Sequence, residues 1–193
     1  MRGHRPRRHA ARRAGDPRFR ARHVRRVRRR GSSGRTCRRH GLRPRCPVRP
    51  GPGRSGFDVT GVDIAADNIA AARQHVPDAT FARSDFSTYA PDQRFDGLLC
   101  LFALFHVPRT EHGDILAHFH DLLAAGAPML ITVGTADIDE MTKEFGGAEM
   151  VWSFFDAEHN RDLITDAGFT IDRTATIPDR LDGSDHLWVL ATA

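Results

Sequence analysis

Lysine is almost missing from this chain: of 29 basic residues, 28 are arginine and only Lys143 is lysine. Cysteine is scarce as well. Cys37, Cys46 and Cys100 form no C-x-x-C pair, and an odd number closes no disulfide framework, which points to a reduced, cytoplasmic setting. No apolar run approaches the roughly 18 residues that suggest a membrane span. The amino terminus lacks the apolar core, about 7 to 15 residues, of a secretory signal. A transit peptide would be Arg-rich and acid-poor, as this terminus is, but serine is scarce there and no apolar helical face appears.

Charge is present but unevenly placed. Met1 to Gly56 holds 21 Arg and a single acid, Asp16, a net of +20, whereas the remaining 137 residues hold 7 Arg, Lys143 and 23 acids, a net of −15. The overall +5 therefore averages two unlike pieces. Residues 1–55 are Arg, Gly, Pro and His with hardly any Leu, Ile or Phe, and such a segment cannot offset its ordering entropy by burial. The expectation is a disordered segment over 1–55 and one folded domain over 56–193, which is long enough to bury a real core. Three explanations of the arm compete. A basic arm could bind nucleic acid through phosphates, but the lack of lysine and of interleaved aromatics argues against that partner. It could be a targeting leader. It could also be a GC-rich gene translated out of frame, which yields this Arg, Pro, Gly and Ala texture.

Gly51-Pro52-Gly53-Arg54-Ser55-Gly56 matches G-x-G-x-x-G by letters, but that pattern has meaning only after a strand and opening a helix. Here a Pro/Arg coil precedes it and a strand follows, so the match is coincidental. From Phe57 the organisation is regular. Strand Phe57–Ile64, whose β-branched run Val59, Thr60 and Val62 ends in Asp63, passes into an alanine-rich helix over 67–74; Thr80–Arg83 is a short strand running into Ser84-Asp85-Phe86; Asp96–Leu101 is a nearly continuous apolar strand. A helix carrying Ile115, Leu116, Phe119, Leu122 and Leu123 leads to the buried strand Met129–Val133. Residues 137–160 read as irregular and aromatic. Helix Ala157–Ala167 stops at Gly168, and strands Phe169–Ile177 and His186–Ala191 close the chain. This alternation predicts an α/β fold built on a doubly wound, mostly parallel sheet.

In such sheets ligands sit at the carboxyl ends of the strands, so Asp63 and Asp85, each just past a strand, face that crevice. A carboxylate there suits vicinal ribose hydroxyls, because it accepts two hydrogen bonds in a fork. The plainer reading is that Asp63 caps the helix that follows.

Over about Phe57 to Ala193 the residues resemble the class I S-adenosylmethionine-dependent methyltransferases. The matching pieces are G-F-D-V-T-G-V-D-I, A-T-F-A-R-S-D-F, F-D-G-L-L-C-L, H-D-L-L-A-A-G-A-P-M-L-I-T and D-A-G-F-T-I. The resemblance implies a Rossmann-like sheet whose last two strands form an antiparallel pair, and S-adenosylmethionine as cofactor. Residue by residue, it implies that Asp63 binds the ribose hydroxyls with Ile64 on the adenine, that Asp85 holds the adenine amino group with Phe86 flanking the ring, and that Leu101 and Phe102 line the methionine side. Two features depart. Ala124-Ala125-Gly126-Ala127-Pro128 stands where the family has L-x-P-G-G, and the family's first strand with its glycine-rich loop is missing or replaced. Nothing in residues 1–55 reads as that central strand. The expectation is a chain that folds poorly and binds cofactor weakly, since four lost aliphatics at about 1.5 to 3 kcal/mol each rival a domain's whole stability.

Methyl transfer depends chiefly on positioning and on excluding water, and a base is needed only if the acceptor has a proton to lose. His106, in L-F-H-V-P, stands where such a base would sit, or else it fixes the turn before Pro108. Arg109 is a candidate for an acidic substrate or for a surface salt bridge, and Trp152 and Phe155 are candidates for an acceptor-pocket wall. His112, His118 and His120 have no metal-binding spacing, so no metal is expected. The partner is then a small-molecule methyl acceptor. The rival readings are a nicotinamide-dependent oxidoreductase, against which Asp85 and the closing strand pair argue, and a nucleic-acid binder using the Arg arm.

Overall fold

The computed structural model describes residues 24–29, 57–145, 148–179 and 183–193, with the backbone alone for 24–29, Phe145 and Ala148. The strands are β1 (Val24–Arg29), β2 (Phe57–Asp63), β3 (Thr80–Arg83), β4 (Gly97–Cys100), β5 (Pro128–Val133), β6 (Ile138–Phe145), β7 (Ala148–Phe154), β8 (Thr170–Pro178) and β9 (Asp185–Thr192). The helices are α1 (Ala66–His75), α2 (His112–Asp121) and α3 (Ala157–Asp166), with 3-10 turns at Leu104–His106 and Arg109–Glu111.

Seven strands form one sheet in the order β3-β2-β1-β4-β5-β9-β8, and β6 and β7 form a separate hairpin. β2 with β3 and β4 with β5 are parallel, while β9 runs antiparallel to both β5 and β8. The expected α/β sheet with a closing antiparallel pair is therefore present.

β1 corrects one expectation. The reading of residues 1–55 as without regular structure fails at Val24–Arg29, which fills the central slot antiparallel to both β2 and β4. Without it β2 and β4 would each present a row of unpaired N–H and C=O groups. Residues 18–30 are the longest stretch of the arm free of Pro and Gly, and a ladder asks only for a backbone with its N–H groups intact. The rest of 1–55 lies outside the described residues. Because β1 is reversed, its amino end, Val24, is level with Val62 and Cys100, and its carboxyl end, Arg29, is level with Phe57.

The core is built on alternation. Leu98 and Cys100 of β4, Met129 and Ile131 of β5, and Leu187, Val189 and Ala191 of β9 are almost fully buried, whereas Leu99, Leu130 and Trp188 between them are half-buried. α2 supplies Ile115, Leu116 and Phe119 at helical spacing, each worth about 1.5 to 3 kcal/mol when fully buried. α3 starts on Asp156, whose carboxylate accepts the His159 N–H at 2.9 Å, and stops at Gly168, whose φ of 97° only glycine adopts without strain.

Residues 137–160, expected to be irregular, instead hold the β6–β7 hairpin and the start of α3. The hairpin lies against the segment after β4. His106 Nδ1 is 2.8 Å from the Val151 carbonyl oxygen, and the Arg109 N–H donates to Ser153 Oγ at 2.9 Å. Gly134, just past β5, admits the Phe154 ring so closely that a Cβ there would stand 2.1 Å from Phe154 Cδ2.

Candidate functional site

Asp63 ends β2 and is 5 % exposed. Its Oδ1 accepts the Ala65 N–H at 2.8 Å and its Oδ2 accepts the Asn68 side-chain amide at 3.0 Å. Oδ1 thus holds the residue before α1 and Oδ2 holds Asn68 in its first turn, but α1 has no side-chain N-cap bond, so Asp63 is not its capping residue; an ionised carboxylate has about four acceptor positions, and those bonds take two. The residues therefore fit a ribose, whose two hydroxyls require one further lone pair from each oxygen.

Asp85 lies on the adjoining tip. Ser84 donates its N–H to the Asp63 carbonyl at 3.1 Å, so the chain leaves β3 directly alongside the end of β2. Asp85 Oδ1 accepts from the Ser87 N–H at 2.9 Å and from Ser87 Oγ at 2.7 Å, which fixes the carboxylate by a local turn. Ile64 is half-buried, and its carbonyl accepts from Arg83 Nε at 3.2 Å. Phe86 is 2 % exposed, with its ring 5.7 Å from that of Phe119, so it serves the core.

After β4, Leu101 is half-buried and Phe102 is exposed with φ 53°, a conformation rare for a bulky residue. The Phe102 N–H donates to Thr132 Oγ1 of β5 at 2.5 Å, and this bond holds the turn. Strain of this kind gathers at ligand sites. The Phe102 ring meets His186 at 5.2 Å and Trp188 at 5.6 Å, both edge-on, and Phe105 lies between His106 at 4.9 Å and His186 at 5.4 Å. Trp152 stands 5.3 Å from the His106 ring. One aromatic cluster thus joins the tips of β4, β7 and β9.

His106 is nearly buried, and a carbonyl can only accept, so its contact with Val151 puts the proton on Nδ1. The neutral ring then carries its lone pair on Nε2, the form a general base needs.

Arg109 and Phe155 stand apart from this group. The Arg109 guanidinium donates to Asp139 at 2.8 Å and to Asp137, and lies 4.8 Å over the Phe155 ring. Phe155 also stacks on His159 at 3.9 Å. Of the three proposed substrate residues, Trp152 is therefore beside His106, whereas Arg109 and Phe155 tie the hairpin to the turn after β4. Under that turn, His112 is 1 % exposed and donates from Nε2 to the Val107 carbonyl at 3.1 Å. Burial, aided by the Arg109 charge, lowers its pKa from 6.5 to about 4.

Sequence reading missed Phe105, Asn68, His186 and Trp188. Asn68 could have been found from its place one helical turn past Asp63. Only the β5–β9 pairing brings His186 and Trp188 to the site, and no local pattern announces it. Among the described residues, no three metal-ligating side chains gather in one place.

Residues 52–126 match the family model described as a methyltransferase domain. Among similar solved structures is the 1,6-didemethyltoxoflavin-N1-methyltransferase of Burkholderia thailandensis with bound 1,6-didemethyltoxoflavin and S-adenosylhomocysteine. It is 23% identical, with a TM-score of 0.55, over 69% of this chain and 60% of that one. The magnesium protoporphyrin IX methyltransferase of Synechocystis PCC 6803, with bound S-adenosylmethionine, is 18% identical, with a TM-score of 0.53, over 69% of this chain and 58% of that one. A Methanosarcina mazei S-adenosylmethionine-dependent methyltransferase is 19% identical, with a TM-score of 0.58, over 69% of this chain and 80% of that one. The chain thus spans about three fifths of the length of the first two relatives. No curated protein matches it. With the strand order, the reversed closing strands and the domain match in agreement, the chain has the class I methyltransferase fold, and its methyltransferase domain match falls on residues 52–126.

Proposed function

We propose that this protein transfers a methyl group from S-adenosylmethionine to a small-molecule acceptor. The observation that carries this reading is the pair of carboxylates on adjoining tips, Asp63 ending β2 and Asp85 following β3, with the Ser84–Asp63 backbone bond between them. When bound, S-adenosylmethionine supplies an electrophilic methyl on a sulfonium. Asp63 holds the ribose hydroxyls with Ile64 against the adenine, Asp85 takes the adenine amino group, and Leu101 and Phe102 line the methionine side. Phe86, turned into the core, supports this side from beneath.

His106 receives the acceptor's proton at Nε2, and Trp152 closes the wall beside it and excludes water. Arg109, already engaged by Asp137 and Asp139, seats the hairpin and leaves recognition of the acceptor to the aromatic cluster. The catalytic unit is residues 56–193, completed by β1 from the basic arm, and it works in the cytoplasm. No described helix is long and apolar enough to cross a membrane. The Val24–Arg29 strand runs opposite to β2 and β4, and the donor binds weakly.

Calorimetric titration of the full chain tests the reading. S-adenosylmethionine should bind and the Asp63→Ala variant should not. Binding of NAD in its place would sink the proposal in favour of an oxidoreductase.

A further inference from the structure

We infer that Thr132 is a positioning residue for the methyl donor: its hydroxyl holds the peptide between Leu101 and Phe102 in the one orientation that suits the donor's methionine side. This rests on the methyltransferase reading proposed above, in which Leu101 and Phe102 line that side.

Phe102 stands at a pivot. The ladders of β4 end at Cys100, which is level with Val24 on one side and with Ile131 on the other. Ala103 directly precedes the 3-10 turn Leu104–His106, which carries the proposed base. Cys100, Ala103 and Leu104 are all fully buried, so the chain is pinned before and after the pivot. Phe102 joins the two pinned stretches with φ 53°, the one positive φ at a residue other than glycine among the described residues. A bulky side chain is unfavourable in that region, and it persists there only where its surroundings hold it.

Thr132 is what holds it. The residue is 0 % exposed in β5, and its Oγ1 accepts the Phe102 N–H at 2.5 Å. A backbone N–H can only donate, so the roles in this bond are fixed. Leu130, Ile131 and Val133 around it are aliphatic, and a buried hydroxyl among them is costly unless it is bonded. Without the bond, the Leu101–Phe102 peptide can turn over by a coupled change in Leu101 ψ and Phe102 φ. That change returns φ to the ordinary negative range and scarcely moves the buried neighbours. In a trans peptide the N–H and the C=O point opposite ways, so the flip reverses both backbone groups at this strand tip. Donor binding must then select the held orientation, and the apparent affinity falls with the fraction of molecules that occupy it.

Calorimetric titration of the full chain with S-adenosylmethionine tests this. Thr132→Val removes the acceptor and keeps the branched shape, and it should raise Kd by about five- to tenfold, the usual effect of one such bond. Thr132→Ser keeps the hydroxyl and should stay within about twofold of the wild type. Phe102→Gly makes the bond dispensable, because glycine adopts a positive φ freely; adding Thr132→Val to it should change Kd by less than about twofold. A threonine that served packing alone would cost the same in both backgrounds. Should Thr132→Val fail to melt cooperatively, Thr132→Ser and Thr132→Ala differ by the hydroxyl alone, and alanine should bind the donor more weakly by the same factor. Where Phe102→Gly binds too weakly to titrate, Phe102→Asn, which also tolerates this φ, takes its place. An unchanged Kd in Thr132→Val, or an equal loss in both backgrounds, overturns the inference and leaves the methyltransferase reading standing. A wild type that binds no donor removes both.

Discussion

The Ser84 N–H donates to the Asp63 carbonyl oxygen across 3.1 Å, and this bond fixes the tips of β2 and β3 side by side with an acid on each. The Asp63 side chain is held as firmly, by Ala65 and by Asn68. Asp63→Asn keeps the shape and removes the charge, and it should weaken S-adenosylmethionine binding by about 10- to 100-fold, the range for charge-assisted bonds of roughly 1.5 to 3 kcal/mol. Asn68→Ala should cost about three- to tenfold, since it frees the carboxylate to rotate without removing it. Calorimetry on both variants decides this; equal losses would mean that Asn68 touches the ligand itself.

His106 is placed to take a proton at Nε2, because Nδ1 is committed to the Val151 carbonyl. His106→Gln should lower kcat by about 10² to 10⁴ for an acceptor that loses a proton. Its KM for the methyl donor should barely change. A loss confined to KM would make His106 a binding group.

The depressed His112 pKa sets a pH dependence of stability. Its folded value, about 4, lies below the unfolded 6.5, so the unfolded chain takes up the proton first as pH falls. The contribution is complete above 6.5 and is lost as pH drops from there towards 4, amounting to about 3 kcal/mol below that point. Denaturant unfolding of the wild type and His112→Phe at pH 7, 5.5 and 4 should give a gap that changes by this amount. Parallel curves would remove His112 as the cause.

Gly134→Ala brings a methyl group to within 2.1 Å of a Phe154 ring carbon, so the ring must leave its seat. Overpacking costs typically 1 to 3 kcal/mol. The variant should melt about that much lower, and its tryptophan emission should shift as Trp152 moves with the hairpin. A melt equal to the wild type would mean that the hairpin yields freely.

Val27 pairs with Val59 on one side and with Gly97 on the other. Val27→Pro introduces a ring and removes an N–H in a central strand, where proline is not accommodated. Thermal melting should show loss of a cooperative transition or a marked fall in its midpoint. An unchanged melt would show that β2 and β4 do not depend on β1.

Much of this was legible in the chain itself. The period-2 and helical patterns from Phe57 onward and the stop at Gly168 set the order of strands and helices, and that order put Asp63 and Asp85 at strand ends. These are local signals, carried by neighbours within a few residues. The reversed β1 left no such signal, because a ladder is made by backbone groups that every non-proline residue shares, and arginines pair as well as valines. The aromatic cluster was hidden for a related reason. Phe102, Phe105, Trp152, His186 and Trp188 come from three separate segments, and only the β4–β5–β9 pairing and the seating of the β6–β7 hairpin set their rings together. Arg109 likewise showed its charge in the sequence, but not the two aspartates that claim it.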